Sequence, residues 1–382
     1  MKNQEIKICR ATLTVLKYSL IWPSEADEMN PGKWYYIRVV TFILFTCPWV
    51  LSVFMHLIVS IRNNADIHLS EDVALMVAFT GVYYMTIIYV KKQPKVAFLL
   101  RDLSYFQFGK PPGFDETERI LGFLSKLTFC YSVMAVVIYN YIKYRQKPEC
   151  ERMNKLKGLK ENCGMLTPTW WPFEINYSPA FQLIFLYIFT STQVMMKLSL
   201  MISFNVLEMA HHIILRINHL KTMILESLDE QDYEASKRKI KTCILYHLEI
   251  LGFAERMDDC FSNGMFAHLT ITAAICGCLE KQFVDGDNQL GSLLHIFGWI
   301  LALFLACLGG QHLINASETI SDAIWSSKWY DADLRLRKDL IFMMARSQVG
   351  LYLNVGGFGI LSYALFLSVI KMSYSILAML TS

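Results

Sequence analysis

Residues Ala180–Asn205 read AFQLIFLYIFTSTQVMMKLSLMISFN, a run whose single charged side chain is Lys197. About 20 such residues in a helix cross the hydrocarbon layer of a bilayer, where backbone groups find no partner outside a helix or a closed barrel. The solvent implied for this run is lipid.

Comparable blocks flank it at Ile37–Ile61, Asp72–Val90, Leu121–Lys143, Phe261–Leu279, Gly291–Ile314 and Tyr352–Leu380. The expected fold is an all-α membrane protein with seven transmembrane helices. The Phe261–Leu279 block is the weakest, diluted by Ser262, Asn263, Gly264, His268 and Thr270, so six spans is the alternative count. Composition agrees with lipid as solvent. The 382 residues are 54% hydrophobic and 18% charged, with a mean hydropathy of +0.33, which is wrong for soluble domains. Lys91, Lys92 and Lys95 after the second block, Trp170 and Trp171 before the fourth and Trp299 within the sixth suit interfacial positions.

Met1–Tyr36 carries Lys2, Lys7, Arg10, Lys17 and Lys33 without a long apolar core, so it is not a secretory signal peptide. Lys and Arg are concentrated in the N-terminus and the even-side loops, which favours a cytoplasmic N-terminus and an extracellular C-terminus. Arg145, Lys147, Arg152, Lys155, Lys157 and Lys160 run against that rule. The glycosylation patterns at Asn176 and Asn315 fall on opposite sides and decide nothing. Between Glu208 and Asp259, charged residues interleave with Ile213, Leu215, Ile217, Leu220 and Ile244 at helical spacing. These residues extend two spans into the cytoplasm as an anchor region, or lie along the membrane surface.

The chain has no Gly-rich phosphate loop, His-Glu-x-x-His helix, nucleophile elbow or repeated Cys-x-x-Cys pair, so neither an enzyme nor a bound cofactor or metal is expected. A net charge of +3 with no aromatic-interleaved basic cluster argues against a nucleic-acid partner. Most of the ten cysteines lie in apolar blocks as small core residues, and a Cys150–Cys163 disulfide is left open. Lys126 and Lys197 read as snorkelling cations, and the spans show no clear intramembrane carboxylate of the kind a transporter needs.

Three stripes stand out: Met76, Phe79, Thr80 and Tyr83; Ile184, Tyr187, Ile188 and Ser191; and Tyr131, Met134, Ile138 and Tyr141. Each repeats at one face of a helix and mixes apolar bulk with one or two hydroxyls. That suits either a pocket for a small lipophilic ligand or ordinary helix packing.

From Ser317 onward a set of residues keeps a fixed order and spacing: Ser317-Glu318, Ala323, Trp329-Tyr330, Arg337-Lys338, Leu340, Met344, Arg346-Ser347, Gly356, Phe358, Phe366, Val369-Ile370-Lys371, Ser373-Tyr374-Ser375 and Leu380. In this the chain resembles the insect odorant receptor family. It departs from the pattern at Trp325, often Tyr, and at Val349-Gly350, where a proline is usual. The gustatory receptors' span-seven motif is absent, and the family's co-receptor is longer, so the chain looks like a tuning receptor.

The resemblance implies a ligand-binding subunit that assembles with the co-receptor into a heterotetrameric cation channel in the plasma membrane of olfactory sensory neurons. Its ligand would be a small volatile hydrophobic molecule, held in the outer half of the bundle by the stripes together with Phe297 and Ile300. Leu377, Leu380 and Thr381 would line the pore. Residues 1–316 then form the six-helix bundle with its extensions, and 317–382 an anchor segment plus the pore-lining helix. The alternatives are a gustatory-type channel and a G-protein-coupled receptor. Against the second, Tyr141-Ile142-Lys143 and Asn354-Val355-Gly356 replace that class's span-three and span-seven motifs.

Overall fold

The computed structural model describes residues 5–24, 28–62, 69–158, 161–230, 232–286 and 289–381. Seven of its helices are long and apolar enough to cross a membrane: α2 (Lys33–Arg62), α3 (Leu69–Leu103), α4 (Phe114–Arg145), α6 (Ala180–Leu228), α7 (Tyr233–Val284), α8 (Gln289–Trp325) and α10 (Tyr363–Thr381). The count is therefore seven, and the diluted Phe261–Leu279 block lies inside α7. Among the described residues, three shorter α-helices, α1 (Arg10–Tyr18), α5 (Lys147–Lys157) and α9 (Leu334–Ser347), and a one-turn 3-10 helix at Trp329–Asp331 complete the fold.

Helix lengths explain the shape. At about 1.5 Å per residue, the 49 residues of α6 and the 52 of α7 run roughly 74 and 78 Å, more than twice a hydrocarbon core. Their excess forms an antiparallel hairpin beyond the bundle, turned at Asp232, whose carboxylate accepts from the backbone N–H groups of Glu234 and Ala235. Ile213, Ile217, Leu220 and Ile224 of α6 are buried in this extension with Ile240, Ile250 and Phe253 of α7. The Glu208–Asp259 segment is thus continuous with two spans and packed, not laid on a surface.

Close helix approach is set by glycine. A Cβ on Gly309 of α8 would stand 3.0 Å from Leu207 Cα, and one on Gly81 of α3 would overlap Ile271 of α7. Small residues at such points let dispersion contacts hold helices together where lipid gives no hydrophobic drive. At the extension end, Leu103, the last residue of α3, has a carbonyl that helix geometry leaves without an internal partner; it accepts from the buried Arg216 guanidinium of α6. Thr12 of α1 shares a hydrogen bond of 2.8 Å with Ser125 of α4, tucking the N-terminal helix beneath the bundle.

Three expectations need correction. The last span begins at Tyr363, not Tyr352. Gly356 and Gly357 have φ of 52° and 83°, and the Leu353–Leu361 stretch closes on itself through Val355 N–H to Gly359 O (2.9 Å) and Leu361 N–H to Leu353 O (2.8 Å), so the chain turns before it spans. Trp299 is not an interfacial anchor, since it is 3% exposed inside the bundle. Buried carboxylates do occur on the spanning helices, at Glu71, Asp72 and Glu208. Lys126 is exposed, and Lys197 is half-buried with its ammonium 5.0 Å from the Phe129 ring centre.

Candidate functional site

A cavity of about 100 Å³ lies among α2, α3, α4, α6, α7 and α8. At roughly 10–15 Å³ per water position it has room for about seven to ten waters, the scale of a small organic molecule. It sits toward the end of the bundle closed by the segment between α4 and α6, which places Leu166 and Thr167 on its wall. A Cys150–Cys163 disulfide cross-links that segment. Glu161 of the same segment lies 2.6 Å from His56 Nε2 on α2, and Asp72 at the head of α3 lies 2.7 Å from the ring's Nδ1. One imidazole thus holds two helix ends and the closing segment together.

The wall is built from matching faces. On α3 it comprises Glu71, Ala74, Leu75, Ala78, Phe79 and Val82, spaced by three and four as one helical face requires. Tyr131, Ser132, Ala135, Val136 and Tyr139 do the same on α4. Thr192, Met195, Met196, Ser199 and Leu200 come from α6, Leu279 from α7, Leu294, His295, Gly298 and Trp299 from α8, and Trp49 from α2. The room exists because Ala78, Ala135 and Gly298 are small where neighbours are large. Trp49 and Phe79 meet edge to face at 4.6 Å, and the Trp49 indole N–H donates to Thr167 Oγ1 at 3.0 Å, fixing that corner.

A few polar groups interrupt the apolar wall. Tyr139 donates to Glu71 Oε1 at 3.0 Å, and Lys143 sits 2.8 Å from Glu71 Oε2. The Trp299 indole donates to His295 Nε2 at 3.2 Å, and Tyr131 donates to the Leu294 carbonyl at 3.0 Å. A mostly apolar cavity with a few convergent polar groups binds small lipophilic molecules and orients them; among the described residues that line it, none form a nucleophile and base pair.

Of the fourteen ligand-site residues expected from sequence, the structure brings Phe79 and Tyr131 to this wall. Met76, Ile184 and Ile300 are half-buried against the core, Ile138 is half-buried, and Ile188 and Ser191 are buried, all beside the cavity rather than on it. Thr80 is exposed and donates to its own helix at Met76 O. The Tyr83 hydroxyl shares a hydrogen bond with Thr46 at 2.7 Å, and that of Tyr187 is taken up by the α2 backbone. Met134, Tyr141 and Phe297 point outward, more than half exposed. The stripes read from sequence leave out Trp49, Glu71, Tyr139, Thr192, Met195 and His295. Glu71 carried a usable signal, since an ionisable residue at the head of an apolar span is costly without a purpose.

The 7tm Odorant receptor family model matches residues 116–374. The chain belongs to that family. It is an odorant receptor and not an enzyme, and its seven apolar helices make it a multi-pass membrane protein. It is 22% identical over 303 residues to Odorant receptor 85c of Drosophila melanogaster, covering 76% of each chain. With Odorant receptor Or1 of Anopheles gambiae it shares 23% identity, covering 97% of this chain and 94% of the other. The insect olfactory receptor OR5 from Machilis hrabei, solved in complex with eugenol, has the same fold: TM-score 0.76 at 15% identity, over 97% of this chain and 96% of that one. A second structure of the Machilis receptor matches with a TM-score of 0.70 at 14% identity, over the same shares of the two chains.

Proposed function

We propose that this receptor binds a small hydrophobic volatile in the cavity and, assembled with the family's co-receptor as a heterotetramer, opens a cation channel in the plasma membrane of olfactory sensory neurons. The observation that carries the reading is the cavity itself: lined by six helices, apolar over most of its wall and carrying a few polar groups, in a chain of this family. The Machilis relative, solved in complex with eugenol, is in keeping with a receptor of this fold taking up a small organic molecule.

The pore falls to α10. Its apolar window is only 11% buried against the rest of the chain, the least of the seven helices, so most of its surface awaits lipid or other subunits. Leu380 and Thr381 are exposed and Leu377 half-buried near its C-terminal end. A ring of such leucines excludes hydrated ions until it is displaced. The positive charge near the N-terminus and around the α6–α7 hairpin favours a cytoplasmic N-terminus, which puts the cavity and the end of α10 on the outer side. Residues 1–316 then act as the sensing bundle and 317–382 as anchor and gate.

The test is whole-cell current from cells expressing the chain with and without the co-receptor, perfused with a broad panel of volatiles while G-protein signalling is blocked. A fast inward cation current needing both subunits supports the proposal. A response abolished by the block would assign the receptor to coupled signalling instead.

A further inference from the structure

Two histidines far apart in sequence meet where α6 and α8 leave the apolar part of the bundle. Gly309 of α8 lets the helices approach, with Leu207 of α6 against it, and one turn further along each helix stand His211 and His312. Their ring centres are 5.6 Å apart and their planes cross at 67°. Both side chains are half-buried. His211 Nδ1 lies 3.0 Å from the Leu207 carbonyl, which can only accept, so the ring's hydrogen sits on Nδ1 and its lone pair on Nε2. Tyr363 Oη lies 3.3 Å from His312 Nε2 and can accept its hydrogen, which leaves that ring's lone pair on Nδ1.

An imidazole ligates a metal through one nitrogen while the other donates to an oxygen that fixes the ring, and both histidines have an oxygen in that second place. Zinc held about 2.0–2.1 Å from one nitrogen of each ring at a tetrahedral angle sets the ring centres roughly 5 Å apart, close to the spacing here. Among the described residues no third His, Cys, Asp or Glu joins the pair, so water completes the coordination. Imidazole nitrogen suits zinc, copper and nickel, whereas calcium and magnesium take oxygen ligands. The pair bears on gating through Tyr363, which opens α10, meets His312 with its phenol and gives its backbone N–H to Gln311 Oε1 at 3.3 Å. A metal bridging α6 and α8 ties together the helices on which α10 starts, and favours this arrangement over one with α10 displaced. We propose that His211 and His312 form an inhibitory site for a borderline transition-metal ion such as zinc, reached from the cytoplasm. The side of access and the effect on current rest on the orientation and channel reading given above; the meeting of the two rings does not.

Two measurements test it. On the receptor purified in detergent without a polyhistidine tag, Zn²⁺ should raise the melting temperature and Mg²⁺ should not. His211→Gln and His312→Gln should each move the Zn²⁺ midpoint to concentrations at least about tenfold higher, as the loss of one of two protein ligands implies. In inside-out patches from cells expressing the chain with its co-receptor, Zn²⁺ on the cytoplasmic face should reduce volatile-evoked current, with the same loss of sensitivity in both variants. Unchanged Zn²⁺ midpoints in the melting assay would overturn the site. A site that holds there but leaves current untouched would overturn its inhibitory role. Inhibition from the outer face alone, lost in the variants, would keep the site and reverse the orientation. A receptor silent to every volatile would sink the channel reading while the melting assay still decided the site. Where a glutamine variant fails to fold, His211→Cys combined with His312→Cys decides: thiolates favour softer ions, so the preferred metal should change from Zn²⁺ to Cd²⁺, and an unchanged preference would overturn the site.

Discussion

The phenol of Tyr187 on α6 is inserted into the backbone of α2 beside Trp49. It donates to Phe45 O at 2.7 Å and accepts from Trp49 N–H at 3.1 Å, two groups that an unbroken helix would pair with each other. Pro48 precedes this point, lacks an N–H and crowds the preceding turn, so α2 opens where the phenol enters. The same Trp49 forms a corner of the cavity. Tyr187→Phe should therefore cost about 1–2 kcal/mol of stability by removing both bonds, read as a lower melting temperature in detergent, and should weaken volatile responses by shifting Trp49. Unchanged stability would show that water replaces the hydroxyl without loss.

Residues one position apart on α3 should behave oppositely. Phe79 lies on the cavity wall against Trp49, whereas Thr80 is exposed and bonds to its own helix. Phe79→Leu removes an edge-to-face contact of about 0.5–1.5 kcal/mol, so half-maximal concentrations should rise roughly threefold to tenfold. Thr80→Ala should leave the dose-response curve where it was. Equal effects at both positions would mean that the ligand does not occupy this cavity.

Much of the architecture was readable because lipid imposes a crude and strong pattern. The Ala180–Asn205 run needs only a count of apolar residues to be recognised as a span. The site was harder for the same reason. In water an apolar stripe marks the face turned inward, but on a lipid-bathed helix both faces are apolar, so Met134 and Tyr141 looked like pocket residues while facing outward. The wall is better marked by small residues and stray polar groups, as at Ala78, Ala135, Gly298 and Glu71, whose meaning depends on which helices face each other. The start of α10 is misplaced from sequence because Tyr352–Leu361 is apolar enough to read as the beginning of the span, and only its glycine-bearing turn takes it out of the helix.

The disulfide should matter to ligand response as well as stability. Cys150 and Cys163 are 13 residues apart, and closing a loop of that size stabilises by about 3 kcal/mol through the unfolded chain. The segment it closes carries Leu166 and Thr167 to the cavity. Cys150→Ser and Cys163→Ser, singly or together, should give the same drop in surface receptor and the same weakening of response among those that arrive. Different phenotypes for the two single variants would point to a role for one thiol alone.

The exposed C-terminal end of α10 carries the gating prediction. Leu377→Ser places a hydroxyl where the proposed gate is apolar, easing the entry of water and ions. Current without any volatile should rise above that of the unmodified receptor expressed with the same co-receptor. A resting conductance that stays the same would remove Leu377 from the gate.

Filling the cavity tests the odorant site most directly. Ala135 stands on the wall of α4 where a larger side chain would occupy the space a volatile needs. Volatile-evoked current should be measured from Ala135→Phe receptors matched for surface expression. Responses to volatiles active on the unmodified receptor should fall at least about tenfold in sensitivity or vanish, with resting current unchanged, as the loss of one ligand-sized space implies. A full response at unchanged concentrations would show that the odorant binds elsewhere.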